Sequence, residues 1–138
     1  MEDSGQSGYK IINIILTESS FKRLNDAQIG IENTNVADIT TGFSEKDKII
    51  FCNVKVIYKS IFKEQIQVDA EITMIGVFEK IGESELSNEN FAKINAPSII
   101  FPYIREHLSS LSNKAGIPPI ILAPVNFVAL NKDEKKSA

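Results

Sequence analysis

Residues 95–130, NAPSIIFPYIREHLSSLSNKAGIPPIILAPVNFVAL, decide the fold. They read as an amphipathic helix, a proline-rich apolar connector and a short apolar terminal segment. Ile100, Tyr103, Ile104, His107, Leu108 and Leu111 recur at spacings of three and four, which places them on one helix face. Arg105, Glu106, Ser109 and Ser112 fall largely on the other. Pro97 suits a first helical turn, where a missing N–H costs nothing. Pro102 allows two readings: the regular helix begins there, or it kinks there. Lys114 favours the negative end of the helix dipole, Gly116 suits a left-handed stop, and Pro118 and Pro119 forbid continuation.

Upstream of this stretch the chain reads as strands. Tyr9 to Thr17, YKIINIILT, is rich in β-branched residues and apolar on both faces, the pattern of a central or covered strand. Glu18 to Gly30 is mixed, with a turn signal at Asn25-Asp26. Ile29 to Phe43 is a short irregular strand or crossover loop, or else an ordinary edge strand. Lys48 to Phe62 is a long strand with Ile50, Cys52, Val54, Val56 and Tyr58 on one face. After Lys63-Glu64 comes the cleanest alternation: Ile66, Val68, Ala70, Ile72 and Met74 against Gln65, Gln67, Asp69, Glu71 and Thr73. A short turn between these two strands makes them antiparallel, with one face covered and one wet. Gly76-Val77-Phe78 and Gly82 mark the strand's end, and Ser87 caps a short helix carrying Phe91 and Ile94. Strands first and helices last predict an α+β domain with its helices on one side of the sheet.

The 138 residues suffice for one domain with a modest core, and 43% hydrophobic and 24% charged residues are ordinary for a globular chain. A net charge of −3 lacks the clustered basic face that nucleic-acid binding requires. The acidic start MEDSGQSG is unlike a secretory leader, and no stretch approaches the ~20 apolar residues of a membrane span. The single cysteine, Cys52, lies in an apolar run and reads as a buried thiol. A cytoplasmic protein is the expectation. Residues 1–8 read as a disordered lead, 9–130 as the domain, and 131–138 as a charged, disordered and solvated tail in which Asp133 and Glu134 interrupt the lysines.

Few residues point to chemistry. The one histidine, His107, has no Cys or His partners for a zinc site and reads as packed or interfacial. No glycine-rich phosphate loop or GxSxG elbow occurs, so no catalytic residue, metal or cofactor is expected. Glu18, Asp69 and Glu71 meet on one sheet face if the first strand pairs suitably, but water there leaves their carboxyls ordinary. The surplus is apolar. The helix face, the connector and the Ile29–Phe43 segment exceed what one small sheet covers, which points to oligomerisation or to binding of another apolar chain. The prolines hold the connector extended, like a lip over a surface.

Ala96-Pro97, then Ile99-Ile100-Phe101-Pro102-Tyr103 with Arg105, and Leu122-Ala123-Pro124-Val125-Asn126-Phe127 followed by Ala129-Leu130, resemble the two signatures of the SecB family of protein-export chaperones. Gly76-Val77-Phe78 is similar to the end of that family's fourth strand, and Ser20-Phe21 to the segment after its first. The resemblance spans about Tyr9 to Leu130. It implies a four-stranded antiparallel sheet with a long helix on one face, and a homotetramer built as a dimer of dimers through Tyr103, Ile104, His107, Leu108 and Leu111. It also implies a holdase without catalysis that binds unfolded preproteins in apolar grooves and passes them to SecA. Ile29, Ile31, Val36, Ile39, Val125 and Phe127 are the expected groove residues, and Glu18, Asp69 and Glu71 the expected SecA-docking face. Lys22 stands where the family favours an acid, and Asp69 where it often has an apolar residue. The chain also ends eight residues after Leu130, where the family continues into a second helix and a SecA-binding tail. Two other readings stand beside this one: a SecB-like chaperone dedicated to one partner such as an antitoxin, and a hot-dog acyl thioesterase, which needs an acid beside the helix start where Asn95-Ala96-Pro97-Ser98 offers none and Glu89 lies upstream.

Overall fold

β4 (Gln65–Lys80) organises the sheet because its side chains alternate between core and surface. Val68, Ala70, Ile72 and Phe78 are buried on one face, while Asp69, Glu71 and Thr73 lie on the other. The alternation starts later than the sequence pattern implies. Ser60 pairs with Val68 but Ile61 with Ile66, so Gln67 is an extra residue in the ladder. This bulge turns Gln67 inward, where it is buried, and leaves Ile66 exposed.

The computed structural model describes residues 8–83 and 87–137, so the predicted lead, Gly8 apart, lies outside the described residues. β1 (Tyr9–Arg23), β2 (Thr34–Lys46), β3 (Ile49–Phe62) and β4 form one antiparallel sheet in the order β1-β4-β3-β2. Helical residues follow as α1 (Asn88–Asn90), a π-helical turn (Phe91–Asn95), α2 (Ala96–Lys114) and α3 (Phe127–Ser137). The expected class holds: a four-stranded antiparallel sheet with a long helix on one face.

Two strands differ from their sequence reading. β1 is an edge strand, not a central one, and continues past Thr17 to Arg23. Ile11, Ile12, Ile15 and Leu16 therefore remain exposed, although a covered strand would bury them. The segment of uncertain character, Ile29 to Phe43, divides in two: residues 29–33 end a crossover that starts at residue 24, and the rest lies in β2, a regular edge strand in register with β3.

α2 lies on the sheet through Ile100, Ile104 and Leu108, all 0% exposed. Gly76 admits it, since a Cβ there would come within 2.8 Å of Ile100 Cδ1 and 2.6 Å of the Phe78 ring. Ile104 and Leu108, expected at an oligomer contact, are thus core residues of the protomer. The apolar helix stripe is consumed by the chain's own sheet. A helix start at Pro102 does not hold: α2 begins before it and runs through it. Pro102 and Ser98, whose carbonyl loses its donor, are both exposed, so solvent can replace the missing bond.

Ser87 caps α1 as expected, its hydroxyl accepting from Asn90 N at 3.1 Å. Phe91 then stacks on Tyr9 at 3.9 Å and meets Phe78 edge-on at 5.2 Å, fixing the helix entry against both β1 and β4. The charged tail expected from residue 131 is helical as far as Ser137. Asn126 Oδ1 accepts from Ala129 N at 3.1 Å and starts α3, and Phe127 and Leu130 turn one face of it to the core.

Candidate functional site

An open groove of about 290 Å³ lies between the crossover and the connector after α2. Ile29 and Gly30 form one wall, Ile117 to Ile121 the other, and Tyr58, Ser60 and Val68 the floor.

The crossover wall is shaped by side-chain amides. Leu24 N donates to Gln67 O at 3.0 Å, and Gln28 N to Gln67 Oε1 at 2.8 Å, so the bulged glutamine holds the crossover from beneath. Asn33 Nδ2 donates to Gln28 O at 2.7 Å and to Ser60 Oγ at 2.9 Å, while Asn33 Oδ1 accepts from Gly30 N at 3.2 Å. These bonds close the turn, leaving its apolar side chains facing out, with Ile29 beside the groove and Ile31 fully exposed.

The connector wall hangs on Ser112, which is fully buried. Ile117 N donates to Ser112 O at 3.2 Å and Ile120 N to Ser112 Oγ at 3.0 Å. Pro118 and Pro119 between them have no N–H to satisfy, so one residue serves both main-chain donors of the fold-back. Gly116, at φ +71°, makes the reversal that aims the connector over the sheet. Ile120 packs inward, and Ile121 stands 77% exposed between this groove and a second hollow along Pro102, Arg105, Glu106 and Ser109.

The expected groove residues separate. Ile29 lines the groove, and Ile31 flanks an adjoining hollow with Phe62. Val36 and Ile39 lie on opposite faces of β2, opposite Lys59 and Val56 respectively. Val125 is half-buried against the core. Phe127 is 3% exposed and meets Phe101 edge-on at 6.0 Å, so it is a core residue rather than a groove residue. Sequence reasoning passed over Tyr58, Ser60, Val68 and the individual connector residues. Ser112 carried a weak signal, as a serine four residues before a helix-stopping glycine and eight before Ile120.

The outer sheet face carries Glu18, Asp69 and Glu71, as expected, but lysines are set among them. Asp69 pairs across the ladder with Lys22 on β1 and Lys59 on β3. Lys55 Nζ lies 2.7 Å from Glu71 Oε1 and 3.7 Å from Glu18 Oε1, and Thr73 Oγ1 donates to Glu18 at 2.8 Å. The hydrogen bond to Glu71 is the main reason the Lys55 pKa is raised. The face is therefore a charge ladder of both signs.

At the β1 edge, Met74, Pro102, Tyr103, Glu106 and His107 surround an open apolar hollow of about 560 Å³. Tyr103 is 51% exposed, and His107 Nε2 is 2.8 Å from Ser19 Oγ. Of the residues expected at an oligomer contact, these two reach the surface, while Leu111 is packed against the core. Glu89, the acid the thioesterase reading depends on, pairs with Lys93 at 2.7 Å on an exposed helical turn outside the groove. Among the described residues no group of His, Cys, Asp or Glu side chains is placed to hold a metal ion, and no helix is long and apolar enough to cross a membrane.

A family model described as preprotein translocase subunit SecB matches residues 6–138. The protein-export protein SecB of Methylobacillus flagellatus is 31% identical over 110 residues, covering 79% of this chain and 66% of that one. The SecB of Chromobacterium violaceum is 32% identical over 94 residues, 68% of this chain and 59% of that one. The chain thus spans less than two thirds of these two relatives, whereas against the SecB of Nitrosococcus oceani, at 29% identity, the match covers 98% of this chain and 86% of the other. The fold is like that of a SecB-like chaperone from Mycobacterium tuberculosis, solved in complex with a peptide from an antitoxin. That likeness has a TM-score of 0.73 at 15% identity, over 86% of this chain and 91% of that one.

Proposed function

The chain belongs to the SecB family, and on that premise we propose that it is a holdase that keeps unfolded preproteins in the crossover–connector groove and delivers them to SecA. The observation that carries this reading is the groove itself: two walls hydrogen-bonded at their main chains present exposed isoleucines, Ile29 and Ile121, over a floor of Tyr58, Ser60 and Val68. Such a surface suits extended chains of unrelated sequence, because isoleucines and a shallow opening impose little shape requirement. The mechanism is binding alone. A protein that engages only unfolded chains withdraws them from folding and aggregation by mass action.

An exposed apolar edge suited to assembly of several copies supports the same reading. The edge strand β1 carries exposed Ile11, Ile12, Ile15 and Leu16, and Leu16 stands opposite Met74 of the Tyr103 hollow, whereas edge strands facing water are usually guarded by charge. A tetramer would join several grooves into a track longer than one protomer offers.

The test is retention of an unfolded protein by the Ile29→Ser/Ile121→Ser double variant. Holding should fall sharply while the melting temperature stays nearly constant, because both side chains are exposed. Undiminished holding would place the client site elsewhere. Chains that co-purify with the protein from its own cells separate the client classes: many unrelated precursors mark export, and one small partner such as an antitoxin marks a dedicated chaperone.

A further inference from the structure

Arg23 ends β1, and its side chain turns toward the helix side of the sheet. Nε donates to Leu24 O at 2.8 Å, Nη2 to Asn25 O at 3.0 Å and Nη1 to Ala115 O at 2.6 Å. Leu24 and Asn25 are the root of the crossover wall. Ala115 is the C-cap of α2, one residue before the glycine that starts the connector wall. Among the described residues, no other hydrogen bond links residues 23–33 to residues 115–121.

We infer that Arg23 is a positioning residue that sets the spacing of the two groove walls, and through it the affinity for extended chains. The client half of this inference rests on the groove reading above. Three carbonyl oxygens converge on one guanidinium, each the negative end of a peptide dipole. Without a cation between them they repel, and the walls separate. The planar guanidinium meets the three carbonyls from three separate nitrogens in a fixed fork, which a lysine ammonium, with all its donors on one atom, does not reproduce. The site also sits at the C-terminal end of α2, where the helix dipole favours a positive charge. Among the described residues Arg23 makes no ion pair with a carboxylate, so its charge is directed at these carbonyls.

The experiment uses spin labels at Ile31→Cys and Ile121→Cys, one exposed position on each wall; the buried native thiol of Cys52 does not compete for label. Distance distributions are measured on the labelled proteins, and the affinity for reduced, carboxymethylated lactalbumin on the same proteins with Ile31 and Ile121 intact, for the parent, Arg23→Met and Arg23→Lys. Both variants should broaden and lengthen the distribution and weaken the affinity by about tenfold, while keeping a cooperative melt and the parent's oligomer mass. Full restoration by lysine would reduce the effect to charge at a helix end and overturn the proposal, as would unchanged distances in Arg23→Met. Loss of the cooperative melt in both variants overturns it too, making Arg23 a residue of folding rather than of spacing. Failure of the groove reading looks different. Then Ile29→Ser/Ile121→Ser holds lactalbumin as well as the parent, while the label distances still respond to Arg23. If that pair does lose affinity and Arg23→Met changes the distances without changing affinity, the proposed link from spacing to binding is refuted.

Discussion

The side-chain amide of Asn131 in α3 donates to the main-chain carbonyl of Lys93 at 2.8 Å, across the helix entry. Lys93 lies in the π-helical turn, four residues before Pro97, and Pro97 has no N–H to give it. A proline that helps define the α2 signature thus leaves an acceptor that a distant asparagine satisfies. The same amide nitrogen lies 2.6 Å from Phe127 O, so it also ties α3 to its own first turn. Asn131→Ala should lower stability by about 1 kcal/mol, the ordinary worth of one such bond. Urea unfolding checks this, with the midpoint falling at constant m-value. No shift in midpoint would mean that α3 contributes nothing through this contact.

Oligomer contacts are expected along the β1 edge and at Tyr103. Ile12→Lys/Ile15→Lys should yield a smaller species by light scattering, with the far-ultraviolet spectrum of a folded sheet preserved. Ile104→Asp should instead abolish folding, because it puts a carboxylate into a core position at 0% exposure, a cost of several kcal/mol. If Ile104→Asp remains folded and only dissociates, the helix is the contact and the edge is not.

The charge ladder on the outer face makes a prediction that carboxylates alone would not. Lys55 sits between Glu18 and Glu71, so Lys55→Met uncovers both. If this face docks SecA through its acids, Lys55→Met should tighten binding, Glu71→Lys should abolish it, and both effects should fade as salt rises through ~0.15 M. Equal binding by all three proteins would leave the face as a solvated surface.

Cys52 reports on opening of the core. Burial pushes its thiol up to about 12 from an ordinary 9.0. The unfolded chain therefore releases this proton before the folded one does, and the linked stability, complete below pH 9.0, declines as pH rises toward 12. Melting temperatures should fall across that window and fall less in Cys52→Ala. At neutral pH a thiol reagent should modify the native protein only as fast as the domain opens. Rapid labelling would contradict the burial.

Much was legible in the residues because it is local. Strict alternation from Val68 to Ile72 gives a half-covered strand, since successive side chains point to opposite faces. The spacing of Ile100, Ile104 and Leu108 gives a helix with one apolar face; Ser87 marks the start of the short helix before it and Gly116 the stop after it, by the bond and the dihedral those residues favour. The two proline signatures sufficed for the family. Which surfaces those apolar faces cover was decided only by tertiary structure. The helix stripe could meet another copy or the chain's own sheet, and strand pairing with β4 brought it to the sheet. β1 looked central because it is apolar on both sides, but the order β1-β4-β3-β2 puts it at an edge. Lys55 comes between Glu18 and Glu71, and Arg23 reaches Ala115, through partners far apart in sequence. Periodicity fixes which way a side chain points along its own element. It carries no information about which element will stand opposite, because that depends on the summed burial and hydrogen bonding of the whole chain.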